Sequence, residues 1–141
     1  MIFHGWLHIE VDDSDDADPS VLYERENKLV KLLTEKIQED VDDKFSHFKL
    51  GRAGNGLTYL SVNGNRNHRY NPVIELFQWS AVNLPHSYGL LYVWDDGGND
   101  GFGNEFRVFK VARGVCTEHS DPFLSPCIPT IEEPWIFDDN A

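Results

Sequence analysis

The sequence predicts an α+β fold, with two helices packed on one face of an antiparallel sheet. Three observations predict it. Residues 2–11 alternate apolar and polar, the period of a half-buried strand. Two later segments carry apolar residues at helical spacing, and each opens on a capping residue followed by proline, Asp18-Pro19 and Asn71-Pro72. The remaining apolar runs are short and separated by glycine-rich turns. The resulting order, β-α-β-β-α-β-β, is a ferredoxin-like β-α-β-β-α-β arrangement with an extra C-terminal strand and an irregular proline-rich tail.

Each element follows from its residues. In the first strand Phe3, Leu7, Ile9 and Val11 face one way, and His4, Trp6, His8 and Glu10 the other. An acidic loop, 12–18, comes next. Leu22, Leu29, Leu33, Ile37 and Val41 recur along a helix from about 19 to about 42. Strands near 45–51 and 57–63 flank a turn marked by Gly51, Gly54 and Gly56. Val73, Ile74, Phe77, Ala81 and Leu84 form the stripe of a second helix, about 72–83, with Asn71 as its expected cap and Pro85 at its end.

Residues 87–96 form the most apolar strand. Gly89, Leu91 and Val93 suit the helix-covered side; Tyr88, Leu90, Tyr92 and Trp94 join Trp6 on the other. A hairpin loop, 97–103, leads to a return strand, 104–114. The tail, 115–141, carries four of the seven prolines and is expected to lie irregularly across the aromatic face through Phe123, Leu124, Ile128, Ile131, Trp135, Ile136 and Phe137. A chain of 141 residues suits one domain, 1–141, with a core that needs no staples.

Charge narrows the function. Twenty-four acids against twelve bases give a net charge of −12. Such a field repels nucleic acid and anionic membranes and favours a basic protein partner. The first 43 residues hold nine of the twelve excess negative charges, with Asp12, Asp13, Asp15, Asp16 and Asp18 at their centre. The N-terminus lacks the basic region and long apolar stretch of an export signal, so a cytoplasmic protein with two reduced cysteines is expected.

No motif carries a coherent chemistry. Residues 100–107 echo an RNA-recognition signature, but Asp100, Asn104, Glu105 and Arg107 stand where a basic residue, a stacking aromatic, valine and a second aromatic belong. Neither Asp-rich loop has the spacing of a calcium loop. His4 and His8 would sit about 13 Å apart along one strand face, too far for one metal. The sequence contains no GxSxG, P-loop or HExxH pattern. No catalytic residue, metal or cofactor is therefore expected. The competing enzyme reading would have to rest on Cys127, His119 and Asp121. A general acidic interaction module is the other alternative.

The C-terminal half resembles the immunity protein 7 family of bacterial polymorphic toxin systems. The resemblance lies in SYGLLYVWDD (87–96), NEFRV (104–108), Arg113-Gly114, DPFLSPCIP (121–129) and Ile131-Glu132, with His4-Gly5-Trp6 matching at the N-terminus. It implies a protein that neutralises a cognate toxin domain by stoichiometric binding, without catalysis. The acidity suits a basic toxin such as a nuclease, whose phosphate substrate the acids would mimic; the oligomeric state stays open. A toxin-facing surface is expected to join an aromatic centre to steering charges. Trp94, Asp95, Asp96 and Asp100 are the first candidates for it, and Asp12, Asp13, Asp15 and Asp16 the second. The DPFLSPCIP stretch reads mainly as structure, with Ser125, Cys127 and the prolines locking the tail.

Overall fold

A computed structural model describes residues 1–134. Six strands form one antiparallel sheet: β1 (Ile2–His8), β2 (Ser46–Ala53), β3 (Leu57–Asn65), β4 (Tyr88–Trp94), β5 (Arg107–Ala112) and β6 (Val115–Ser120). Their spatial order is β2-β3-β1-β4-β5-β6. Helix α1 (Pro19–Asp40) connects β1 to β2, and α2 (Asn71–Asn83) connects β3 to β4. A one-turn helix, α3 (Cys127–Thr130), closes the described chain.

Strand β1 is central and sets the faces. Phe3 and Leu7 are fully buried, whereas His4 and Trp6 are exposed. The register then carries the same side across the sheet: Leu60 and Val62 of β3, Leu91 and Val93 of β4, and Phe109 and Val111 of β5 are all buried with them. Gly5 lies between Phe3 and Leu7. A Cβ there would come within 2.8 Å of Leu91 Cδ1 and 3.0 Å of both the Leu90 carbonyl oxygen and Phe77 Cζ. Glycine is thus what leaves room for the Phe77 ring, reaching from α2, over the middle of the sheet.

The two helices contribute unequally. Helix α2 buries Val73, Ile74, Leu76, Phe77, Ser80 and Ala81. Ser80 satisfies its hydroxyl by donating to the Leu76 carbonyl at 2.7 Å. Helix α1 buries only Leu33; Leu29, Ile37 and Val41 pack partly against the same core. Its start is as expected, with Asp18 Oδ1 accepting from the N–H groups of Ser20 (3.0 Å) and Val21 (3.2 Å).

Three expectations are corrected. Asn71 does not cap α2. It is the first helical residue, the cap position is Tyr70, and Asn71 Oδ1 accepts instead from Arg69 Nε at 3.0 Å. The strand expected over 104–114 is shorter, because Asn104 and Glu105 belong to the preceding loop. Residues 115–120, expected in the irregular tail, form β6. The two-residue turn Arg113-Gly114 has φ of 51° and 79°, the double left-handed geometry that matches strand twist and returns the chain directly.

The described part of the tail fastens to one end of the sheet, but Phe123, Leu124, Ile128 and Ile131, expected to be buried across the aromatic face, are exposed instead. Cys127 is fully buried, and its N–H donates to the Asn104 carbonyl at 2.8 Å. Asn104 in turn bonds the Ile128 N–H and carbonyl through its side chain, at 2.9 and 3.1 Å. Ser125 Oγ accepts from the Phe106 N–H at 2.9 Å. Trp135, Ile136 and Phe137, also expected to cover the sheet, lie outside the described residues.

Asp121 organises this segment. It is buried, and its carboxylate accepts from the N–H groups of Phe123 and Leu124 (both 2.9 Å) and from the Ser125 hydroxyl (3.0 Å). Burial opposes ionisation, but these donors outweigh it and hold the carboxyl below its ordinary range. Its stabilisation is therefore full above the unfolded value, about pH 3.9, and is lost as pH falls through the lower folded value. Asp121→Ala, which strands three donors, should lower unfolding free energy by about 1–3 kcal/mol in urea titrations at pH 7. The difference from wild type should shrink as the titration is moved to progressively more acidic pH. An unchanged midpoint at pH 7 would show that the carboxylate does not hold the tail.

Candidate binding surfaces

Residues 95–106 fold back as a loop between β4 and β5, and its acids have different fates. Trp94 is half-buried: its indole N–H donates to the Gly103 carbonyl at 2.9 Å and its ring packs on Phe106, centroids 5.8 Å apart. Asp95 is buried and faces Arg69 Nη1 at 3.4 Å. The same Arg69 atom lies 3.7 Å from Asp100 Oδ2. Asp96 and Asp100 are exposed. Together with Asn67, His68, Asn71, Gly97 and Gly98 they line a polar cleft of about 540 Å³. Of the first four candidates, then, Trp94 and Asp95 are engaged in holding the loop, whereas Asp96 and Asp100 present charge to solvent.

Arg107 braces this loop from below. Its Nη1 donates to Glu105 (2.6 Å) and Ser120 Oγ (2.9 Å), and its Nη2 to Glu118 (3.1 Å). The guanidinium also stacks on the Phe102 ring at 3.9 Å.

The second candidate group lies at the opposite end of the sheet. Asp12, Asp13, Asp15 and Asp16 follow the His8 end of β1, whereas Asp95–Asp100 follow the Trp94 end of β4, which pairs with Ile2. The two ends are roughly 20 Å apart along a seven-residue strand. All four aspartates are exposed. The Ser14 hydroxyl and N–H hold Asp12 below the usual carboxylate range, and the Arg25 guanidinium, at 2.7 Å, does the same for Asp15. These partners favour the charged forms of Asp12 and Asp15, and Arg25 ties the loop to α1.

Between these ends runs the face of the sheet that the helices leave open. Its most exposed aromatics are Trp6 and Tyr88, 45% and 44% accessible. Their rings meet edge to face at 6.0 Å. Tyr88 Oη is 2.7 Å from His8 Nδ1, and His8 Nε2 is 2.9 Å from Glu10 Oε1. Trp6 and Tyr88 stand 82 positions apart in the chain, so only the β1–β4 register reveals the pair. Alternation within each strand was the one signal that placed both on this face.

The residues of the enzyme alternative do not assemble as a nucleophile and base. His119 Nε2 is 2.7 Å from Thr117 Oγ1 on the open face. Cys127 is buried, and burial, followed by the nearby Asp121 charge, pushes its thiol upward, the opposite of activation. Among the described residues no group of three or more His, Cys, Asp or Glu side chains is placed to hold a metal ion. No helix among them is long and apolar enough to cross a membrane.

This small α+β fold exposes an aromatic sheet face between two acidic loops. The chain belongs to the immunity protein 7 family, whose model matches residues 1–133. It is thus an immunity protein of toxin systems. No curated protein and no solved structure matches it.

The thiols offer a direct check on the chemistry. Burial raises Cys116 as well as Cys127. Alkylation by iodoacetamide at pH 7.5 should therefore run at least ten-fold slower than for a free thiol, and Cys127 should react only at the rate of unfolding. Rapid modification of native Cys127 would reopen the catalytic reading.

Proposed function

We propose that this chain neutralises a cognate polymorphic toxin domain by stoichiometric, non-catalytic binding in the bacterial cytoplasm. The observation that carries the reading is the family match over residues 1–133, on a chain with a surplus of acids that exposes aspartates in two loops. Immunity requires capture of toxin faster than the toxin acts. A net charge of −12 supplies that speed against a basic domain, because opposite fields raise the encounter rate well above the neutral value. A nuclease is the natural target class: its active site is basic, and exposed carboxylates occupy it as phosphates would.

Within this reading Asp96 and Asp100 steer from one end of the sheet, and Asp12, Asp13, Asp15 and Asp16 from the other. Trp94 and Asp95 act behind them. Trp94 holds the loop through Gly103, and Asp95 keeps Arg69 in place beside Asp100.

The test first reads the gene directly upstream, where a toxin with a variable C-terminal domain is expected, and uses that domain in inactivated form. Asp96→Lys with Asp100→Lys should slow association by roughly ten-fold at low salt and by much less at 0.5 M salt, with dissociation nearly unchanged. Equal association rates at both salts would remove the steering role. Failure of the wild-type chain to bind this toxin domain, or to protect cells expressing the active one, would remove the function itself.

A further inference from the structure

The distribution of charge over the sheet points to where that binding is centred. The open face is set out by the register in rows that run across the strands. One row holds Tyr59, His8 and Tyr88, with Ala112 and Val115 continuing it. The next holds Lys49, Ser61, Trp6, Leu90, Lys110 and Thr117. A third holds His47, Asn63, His4, Tyr92, Val108 and His119. None of these positions is a carboxylate, in a chain where acids outnumber bases two to one. The acids begin where the strands end. Glu10 contacts His8 at one rim, and Asp96 and Glu132 border Ile2 and Trp94 at the other.

From this pattern we infer that the open face of the sheet is the toxin-docking surface, with Trp6 and Tyr88 as its central anchors. The inference rests on the proposed toxin-neutralising role and gives it a location. The partner face that fits is apolar at its centre. It carries basic groups to meet the acidic rims, and a carboxylate opposite Lys49 or Lys110.

Composition and size both support this occupant. Interface centres are depleted of charge and rich in Tyr and Trp, with polar groups at the rim. Seven residues of strand by six strands gives an area of roughly 20 by 24 Å, about 500 Å². With its two rims the face approaches the roughly 800 Å² that one partner contributes to a stable interface. A groove of about 640 Å³ beside Tyr88, lined by Pro85, His86, Ser87, Ala112 and Arg113, extends the face towards the Asp12 loop, whose Asp12 carboxylate lies 4.0 Å from His86.

The anchors are also fixed before binding. Trp6 is held edge-on to Tyr88, and Tyr88 is bonded to His8. Little side-chain freedom is left to lose on docking.

The experiment measures binding of the same inactivated toxin domain to wild type, Trp6→Ala, Tyr88→Ala and Val82→Asp. Val82 is 72% exposed on α2 and serves as a control. Trp6→Ala and Tyr88→Ala should each weaken binding by roughly thirty-fold or more, mostly through faster dissociation, with Tm close to wild type. Val82→Asp should bind as wild type. Should either aromatic truncation lower Tm, Lys110→Glu, an exposed change on the same face, must still weaken binding. Wild-type binding that all the face variants retain overturns the surface but leaves the function standing. A free-chain dimer that Trp6→Ala dissociates, with toxin affinity unchanged, would assign the face to a second copy and also overturn the inference. No binding by wild type would instead be a failure of the underlying function.

Discussion

The burial of one face of β1 under the helix layer, with the Phe77 ring set against Gly5, is the constraint on which the rest of this structure depends. Phe3 and Leu7 are buried against the helix layer, and Gly5 between them leaves room for Phe77. Side chains in a strand alternate, so this seating also sends His4, Trp6 and His8 to the other face. A slip of one residue would exchange the two sets. Through its pairing with β3 and β4, β1 imposes the same choice on both neighbours, and β4 passes it on to β5. The aromatic face is thus a consequence of how the core is packed.

The charged groups are arranged around that frame. Carboxylates buried near the sheet are held by donors: Asp121 by two backbone N–H groups and a hydroxyl, Asp95 by Arg69. The surplus acids lie beyond the strand ends, where water solvates them and their field acts at a distance. This division matches the two demands on an immunity protein. Rapid encounter calls for long-range charge, and slow release calls for a rigid, desolvated contact. One surface supplies both if its rim is acidic and its centre aromatic.

Much of the fold was legible because its signals are local. Asp18 caps α1, the stripe of α2 is buried, and the alternating burial of β4 follows the reading of residues 87–96. β6 escaped because its hairpin turns on Arg113-Gly114, where an arginine adopts the left-handed conformation usually signalled by asparagine or glycine. The cap of α2 was misplaced because Arg69 competes for the Asn71 side chain.

The candidate site was less legible, since it depends on contacts between distant segments. Trp94 and Asp95 look like an exposed aromatic–acid pair in sequence, yet Gly103, Phe106 and Arg69 take them up. Trp6 and Tyr88 belong to different strands and become neighbours only through the β1–β4 register.

On the reading proposed above, the toxin is held on the open face of the sheet. Titration of the isotope-labelled chain with its inactivated toxin domain, followed by amide and indole NMR resonances, tests this most directly. The Trp6 indole and the amides of His4–His8 and Tyr88–Tyr92 should shift or broaden at one-to-one stoichiometry. Exposed positions on the helix layer, such as Tyr23, Leu32 and Val82, should keep their free positions. Perturbation centred on those helical residues, with the Trp6 indole unmoved, would contradict it.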